Sequence, residues 1–195
     1  MERRHFIALT GAAALAPALP AAALTQAGAT TLVNALIVDI NRVISSNKSE
    51  NAMIKDFERI FAKYSDTSYI SAYAMGADGR RASTAQKRAF STAFQGYVAR
   101  KYGRRFREFI GGRLEVKSVK KVKSWYEVDT TAFLRGESPF TVTFHVSDRT
   151  GQDLFFNMFI EGINLLLTER TEVGALLDRN GGNIDAMIRD LQTTS

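Results

Sequence analysis

The sequence predicts an α+β domain built on an antiparallel, strongly curved four-stranded sheet that is flanked by helices. Apolar side chains recur at strand spacing in consecutive segments between residues 114 and 160, as expected for strands with at least one buried face. The connections between these segments are short, which forces neighbouring strands to run antiparallel. Helical spacings of apolar residues precede and follow the strands, and this arrangement is typical of an α+β domain.

Residues 1–23 predict a cleaved secretory signal. A short positive segment is followed by an Ala-rich stretch that Pro17 and Pro20 interrupt, and small residues at 21–23 offer a cleavage site. Arg3 and Arg4 resemble the pair of a twin-arginine signal, whose carriers are exported already folded.

The boundary of the mature chain is open at this point, because a second cleavage motif at residues 27–29 allows a cut as late as residue 29. No other stretch has the uninterrupted apolar length that crossing a bilayer requires. We therefore expect residues 24–195 to form one domain that works in the periplasm.

Composition excludes several classes of site. The 195-residue chain has no cysteine and two histidines, His5 and His145, so disulfides, thiolate metal sites and thiol nucleophiles are excluded. A mature chain with His145 alone has no multi-histidine metal site and a poor basis for a histidine triad. We expect no metal and no cofactor. The net charge of +6 fits an anionic partner, and export argues against nucleic acid.

Helical spacing predicts three helices before the strands, and residues 65–79 are expected to form a short helix and a loop that closes on Gly76 and Gly79. Two amphipathic stripes run over residues 32–44 and 53–64, and Ser49 is the expected N-cap of the second. A capping box at residues 83–86 begins a long helix that we expect to end at Gly111 and Gly112. One side of that helix is aromatic and the other is basic.

The strands and the closing helices follow. Strands are predicted at residues 114–122, 125–134, 140–146 and 154–160, and the last is apolar at nearly every position. Glu161 and Gly162 form a corner after it, with Asn164 as the expected N-cap of the next helix. Ile184 to Leu191 form a final amphipathic helix. Aromatic residues crowded on a curved sheet and a facing helix either enclose a hollow or form an ordinary aromatic core.

Motifs from about Tyr69 to Leu191 resemble the MlaC-type toluene-tolerance family of periplasmic phospholipid-binding proteins. The matching residues include Gln86 on the long helix, the corner Glu161-Gly162-Ile163-Asn164-Leu165, Arg170, and the ending from Gly181 to Leu191. The sequence departs from the family pattern at Gly79, Asn164 and Glu169.

The resemblance implies an NTF2-like architecture whose apolar cavity takes the acyl chains of a diacyl phospholipid. It also implies a monomeric carrier without catalysis, which passes lipid between an outer-membrane lipoprotein complex and an inner-membrane ABC transporter with an MCE-domain subunit. The lipid-binding residues that we expect are Phe94, Tyr97, Val98, Tyr102, Phe106, Val142, Phe144, Phe155, Met158 and Ile160 in the cavity, with Glu161, Gly162 and Asn164 at its mouth.

Two other functions stay open on the sequence. A cavity enzyme, a hydrolase or isomerase, would use Glu127, Asp129 or Glu161 as a buried general base whose pKa desolvation raises. No nucleophile, metal set or phosphate-binding loop accompanies these carboxylates. An interaction module would use the basic cluster from Arg100 to Arg107.

Overall fold

In the part of the chain that the structure describes, five antiparallel strands form one open sheet, and they lie side by side in the order in which the chain makes them. The computed structural model describes residues 24–104 and 112–194. The helices are α1 (Gln26–Ile44), α2 (Glu50–Tyr64), α3 (Thr67–Met75), α4 (Thr84–Gly103), α5 (Leu165–Arg179) and α6 (Ile184–Thr193), with a 3-10 turn at Gly76–Arg80. The strands are β1 (Arg113–Val122), β2 (Trp125–Phe133), β3 (Phe140–Ser147), β4 (Leu154–Ile160) and β5 (Ile163–Asn164).

The order of helices before and after a single antiparallel sheet confirms the α+β class. The predicted four-strand count is wrong, because Ile163 and Asn164 pair with Ile160 and Phe159 of β4 as a fifth strand. Glu161 and Gly162 both have positive φ angles, 50° and 78°, so the corner turns the chain straight back along β4. The strong curvature and the NTF2-like likeness stay predictions.

Two β-bulges interrupt the pairing of the sheet. One lies in β1 between Val116 and Ser118, and the other lies in β4, where the pairing shifts between His145 and Val146 of β3. A bulge bends its strand and increases the local twist.

The helices cover one face of the sheet and pack on one another. α1 packs across β1, β2 and β3 and against α2, while α4 packs against α2, α3 and α6. The core lies between these layers, and Val33 of α1, Phe94 of α4 and Val128 of β2 are completely buried there.

The long helix is shorter than expected, since α4 ends at Gly103 and not at Gly111. A side chain at Gly103 would lie 3.3 Å from Ile54 and 3.4 Å from Phe57 of α2. Glycine both permits this close approach and weakens the helix, because it has a low helix propensity. The predicted continuation through Phe106 and the predicted signal lie outside the described residues.

One described helix, α1, is long and apolar enough to cross a membrane by length and composition. Our expectation that no segment after the leader has this property is therefore wrong. The buried residues of α1, from Ala29 to Ile44, belong to the main core. A helix that is buried in a protein core can meet the same criteria of length and apolar composition.

Candidate functional site

A cavity of about 720 Å³ lies between the helices and the sheet. Its volume is within the range of about 300–1,000 Å³ that is usual for small-molecule sites. Most of the lining side chains are apolar, and they come from α1, α2, α4, α5 and the strands β3 and β4. A lining of this kind favours an apolar ligand.

The sheet wall follows from strand periodicity. Val142 and Phe144 are two residues apart on β3 and point to the same face, and their antiparallel partners on β4 are Ile160 and Met158. All four line the cavity. Phe155 completes this wall, with its ring centroid 5.9 Å from that of Phe144 in an edge-to-face arrangement.

The helical wall repeats every four residues along α4. Phe94, Val98 and Tyr102 line the cavity, since residues four apart lie one above the other on a helix. Phe94 is completely buried, and its ring stacks on Phe90 with the centroids 5.5 Å apart. The ring is therefore fixed by the core while one side of it borders the hollow.

The cavity opens to solvent between the β2–β3 loop and the corner after β4. Glu137, Ser138 and Pro139 of the loop line the cavity and are exposed, as is Glu161 of the corner. The Thr141 backbone N–H donates to Oε1 of Glu161 at 2.5 Å, and the Glu161 N–H donates to the Thr141 carbonyl at 3.0 Å. These two bonds hold the Glu161 side chain at the mouth.

Most of the residues that the sequence predicts for the site lie together around this cavity. Those in its lining are Phe94, Val98, Tyr102, Val142, Phe144, Phe155, Met158, Ile160 and Glu161. Phe106 lies outside the described residues. Whether any of them contacts a ligand stays a prediction.

Three predicted residues are not part of the lining. Tyr97 precedes Val98, which turns its side chain about 100° around the helix, and its hydroxyl donates to Glu172 at 2.6 Å. Gly162 supplies the positive φ of the corner. The Asn164 side chain accepts from the Leu167 N–H at 3.1 Å and caps α5, as predicted.

Several lining residues were not predicted as site residues. They are mainly apolar residues of the first two helices, namely Leu36, Ile40, Phe57, Ile60 and Phe61. Their helical spacing is visible in the sequence, but a stripe that covers a cavity looks the same as one that covers a core. Asn157 and Glu169 also line the cavity. The sequence marks Glu169 only as a departure from the family pattern and carries no signal for Asn157.

One polar cluster interrupts the apolar wall, where α4 faces α5. Oε1 of Glu169 accepts from the Tyr102 hydroxyl at 2.5 Å and from Nζ of Lys101 at 2.8 Å. Lys101 also donates to Glu172 at 2.6 Å. Partial burial alone would raise the pKa of Glu172, but the hydrogen bonds from Lys101 and Tyr97 and the Lys101 charge lower it.

The same carboxylates affect Tyr97. Burial raises the pKa of the Tyr97 hydroxyl well above its ordinary value, and its hydrogen bond to Glu172 and the charge of Glu169 raise it further. Tyr97 is therefore a neutral donor that fixes Glu172.

The other carboxylates proposed as general bases lie away from the cavity. Glu127 and Asp129 alternate with the inward-facing Val128 of β2, so they lie on the opposite face of the sheet. Asp129 accepts from the hydroxyls of Ser118 and Thr143, each at 2.7 Å. In the described part of the chain, no group of three or more His, Asp or Glu side chains is placed to hold a metal ion.

Much of the predicted basic cluster on α4 is engaged within the protein. Arg100 donates to the backbone carbonyls of Leu191 and Thr194, and Arg104 lies 3.7 Å from Glu50. Arg105 and Arg107 lie outside the described residues. The described part of the cluster therefore ties α4 to α6 and α2.

Comparisons with known proteins agree with the fold. A family model described as MlaC protein matches residues 30–193. Among solved structures, the chain is similar to the phospholipid-binding protein from Ralstonia solanacearum in complex with a phospholipid, with a TM-score of 0.73 and 16% identity over 85% of this chain and 95% of that chain. At this identity the likeness shows the fold alone. No curated protein matches the sequence.

Proposed function

Because the chain belongs to the MlaC protein family, we propose that it is a periplasmic carrier that holds the acyl chains of a phospholipid in its cavity. The observation that supports this most directly is the apolar hollow of about 720 Å³ between α4 and the strands β3 and β4. The similar fold of a protein with a bound phospholipid supports the same ligand class.

The physical need for such a cavity follows from the hydrophobic effect. Burying each CH₂ group contributes about 0.8 kcal/mol, so two acyl chains in water cost tens of kcal/mol without a protein around them. A carrier has to bury the acyl chains about as favourably as the bilayer does and not more favourably, because lipid must be able both to enter and to leave the cavity. Direction then comes from the partners of the carrier.

The proposed partners lie on both sides of the periplasm. We assign delivery and collection of lipid to an outer-membrane lipoprotein complex and to an inner-membrane ABC transporter with an MCE-domain subunit, in line with the family.

The carrier is proposed to work as a monomer and without catalysis. Glu161 is the one predicted general base that lies at the cavity, and it is held at the mouth by Thr141.

Cleavage of the signal after Ala23 fits the contacts at the start of α1. The backbone nitrogen of Leu24 donates to Oδ2 of Asp148 at 2.8 Å, and the Thr25 side chain caps α1 by accepting from the Gly28 N–H. Cleavage after Ala23 makes the Leu24 nitrogen an ammonium group beside Asp148. A cut after residue 29 would remove this contact, the cap and the fully buried Ala29.

A second acidic group favours the same cut. Burial and the neighbouring Asp148 charge raise the pKa of Asp153, whose carboxylate lies beside Gly28 at the first turn of α1. A terminal ammonium at Leu24 would offset this concentration of negative charge.

Native mass spectrometry of protein purified from its own periplasm, without detergent, tests the function. We expect one diacyl phospholipid to accompany each chain. A protein that carries no lipid and that takes up none from vesicles would contradict the proposal. Loss of turnover of an apolar substrate in Glu161→Gln, with Glu127→Gln as the matched control, would instead support a cavity enzyme.

A further inference from the structure

The charged groups in the cavity wall share one sign. Among the described residues that line the cavity, Glu137, Glu161 and Glu169 are the charged ones. This contrasts with the positive charge of the whole chain. The charges of the described lining therefore differ in sign from the net charge of the chain, and nearby charges act more strongly than distant, screened ones.

Glu169 is the most deeply buried of these three carboxylates. It is 4% exposed, and both of its donors, Tyr102 and Lys101, bond to Oε1. Oε2 is buried and has no hydrogen-bond partner in the described part of the protein. A buried carboxylate oxygen without a donor is costly, so a ligand that donates a hydrogen bond to this atom would relieve that cost.

Among the described residues, the cluster around Glu169 holds more negative than positive charge. The single ammonium of Lys101 is shared by Glu169 and Glu172, at 2.8 and 2.6 Å, so one positive charge faces two negative ones. The Lys101 and Glu172 side chains are 25% and 45% exposed. The cluster thus extends from the cavity wall at Glu169 to solvent at Glu172.

From these contacts we infer that Glu169 binds a cationic hydrogen-bond donor at the polar end of the lipid, and that the cavity selects phospholipids with a primary ammonium group over anionic ones. The inference rests on the proposed function, since it needs a lipid in the cavity. An ammonium supplies both a donor for Oε2 and the missing positive charge, whereas an anionic headgroup meets three carboxylates and is repelled.

The test is lipid competition read by native mass spectrometry. The mature protein is incubated with vesicles of equal parts phosphatidylethanolamine, phosphatidylcholine and phosphatidylglycerol, all with the same acyl chains. We expect phosphatidylethanolamine to exceed phosphatidylglycerol among the bound lipids by about tenfold, as for one charge-assisted hydrogen bond. Phosphatidylcholine, which has the charge without an N–H donor, should be intermediate.

Glu169→Gln should reduce this preference to less than about threefold, measured as the ratio of the lipids that remain bound. Glu127→Gln, on the opposite face of the sheet, is the matched control and should keep the preference. Equal binding of the three lipids by the wild-type protein, or a preference for phosphatidylglycerol, would overturn the inference but leave the proposed function intact. Absence of all lipid would instead contradict the proposed function.

A crystal structure of the lipid-loaded protein separates ligand from solvent at the same atom. We expect a headgroup nitrogen within hydrogen-bond distance of Glu169 Oε2. A water molecule on Oε2, with the headgroup elsewhere, would overturn the inference.

Discussion

Val142 of β3 and Ile160 of β4 are direct partners in the antiparallel register, and both side chains line the cavity. Ile160 is the last residue of β4, and the corner at Glu161 and Gly162 follows it immediately. The inner sheet wall therefore ends where the cavity opens to solvent. A change at Ile160 should act on the ligand that passes this point.

Replacing Ile160 with Trp should block the cavity. The larger side chain would extend into the hollow, where it displaces an acyl chain and does not have to overpack a filled core. We expect at least a tenfold reduction in bound phospholipid, measured by native mass spectrometry after incubation with vesicles.

Ile163→Trp is the matched control for this change. Ile163 pairs with Ile160 in β5 but is 61% exposed and is not part of the lining, so this variant should bind lipid like the wild type. Full lipid binding by Ile160→Trp would argue that lipid binds elsewhere.

Replacing Asn164 with Ala should destabilise the fold without affecting lipid selectivity. The Asn164 side chain accepts from the Leu167 N–H and caps α5, and losing an N-cap costs about 1 kcal/mol. Urea unfolding measures the loss, and Asn164→Asp, which keeps the acceptor, should restore most of it. If Asn164→Ala changed the ratio of bound lipids at unchanged stability, Asn164 would be a headgroup contact and not a cap.

Asp39 should contribute stability that is lost in acid. Hydrogen bonds from Lys63 and Tyr64 lower the pKa of Asp39 from its ordinary 3.8 to about 2. Because the pKa in the folded state is lower, the contribution is fully present above about pH 4 and disappears as the pH falls towards 2. Asp39→Asn should therefore lower the free energy of unfolding at pH 7, by up to about 1 kcal/mol, because the basic partners of Asp39 are exposed.

Urea unfolding of the wild type and of Asp39→Asn at several pH values checks this prediction. Asp178 is an exposed aspartate of α5, and Asp178→Asn is the control. The difference between wild type and Asp39→Asn should narrow between about pH 4 and pH 2. A difference that is constant over this range would show that the carboxylate charge has no part in it.

The mature protein should begin at Leu24. Mass spectrometry of the exported protein gives the first residue directly, and a chain that begins at Thr30 would contradict the proposed cut. Asp148→Asn should destabilise the mature form more than the uncleaved precursor, because the ammonium of Leu24 exists only after cleavage. The expected difference is small, up to about 1 kcal/mol, as for other partly exposed ion pairs.

Strand periodicity predicted the sheet well. The ends of the helices and strands were predicted less well. β4 was expected at residues 154–160 and is found there, because its apolar run is bounded by a turn and by the corner at Glu161. β5 has two residues, too few to show a period. α4 ends at Gly103, where α2 approaches closely. The low helix propensity of glycine is a local signal, but the contact with α2 leaves none.

The candidate site was predictable in part for a similar reason. Alternation along the strands places four side chains on the same face of the sheet, namely Val142, Phe144, Met158 and Ile160. A side chain on the inward face of a strand contacts the interior of the protein, so its position follows from the strand pattern. Glu169, in contrast, looks like a surface residue of α5 in the sequence. Its burial depends on Tyr102 and Lys101, which are more than sixty residues away along the chain.

A crystal structure of the protein loaded with a diacyl phospholipid tests the central claim most directly. The account predicts acyl chains between α4 and the strands β3 and β4, in contact with Phe94, Phe144 and Ile160. A structure in which these side chains close on one another and the lipid lies on the outer face of the sheet would contradict it.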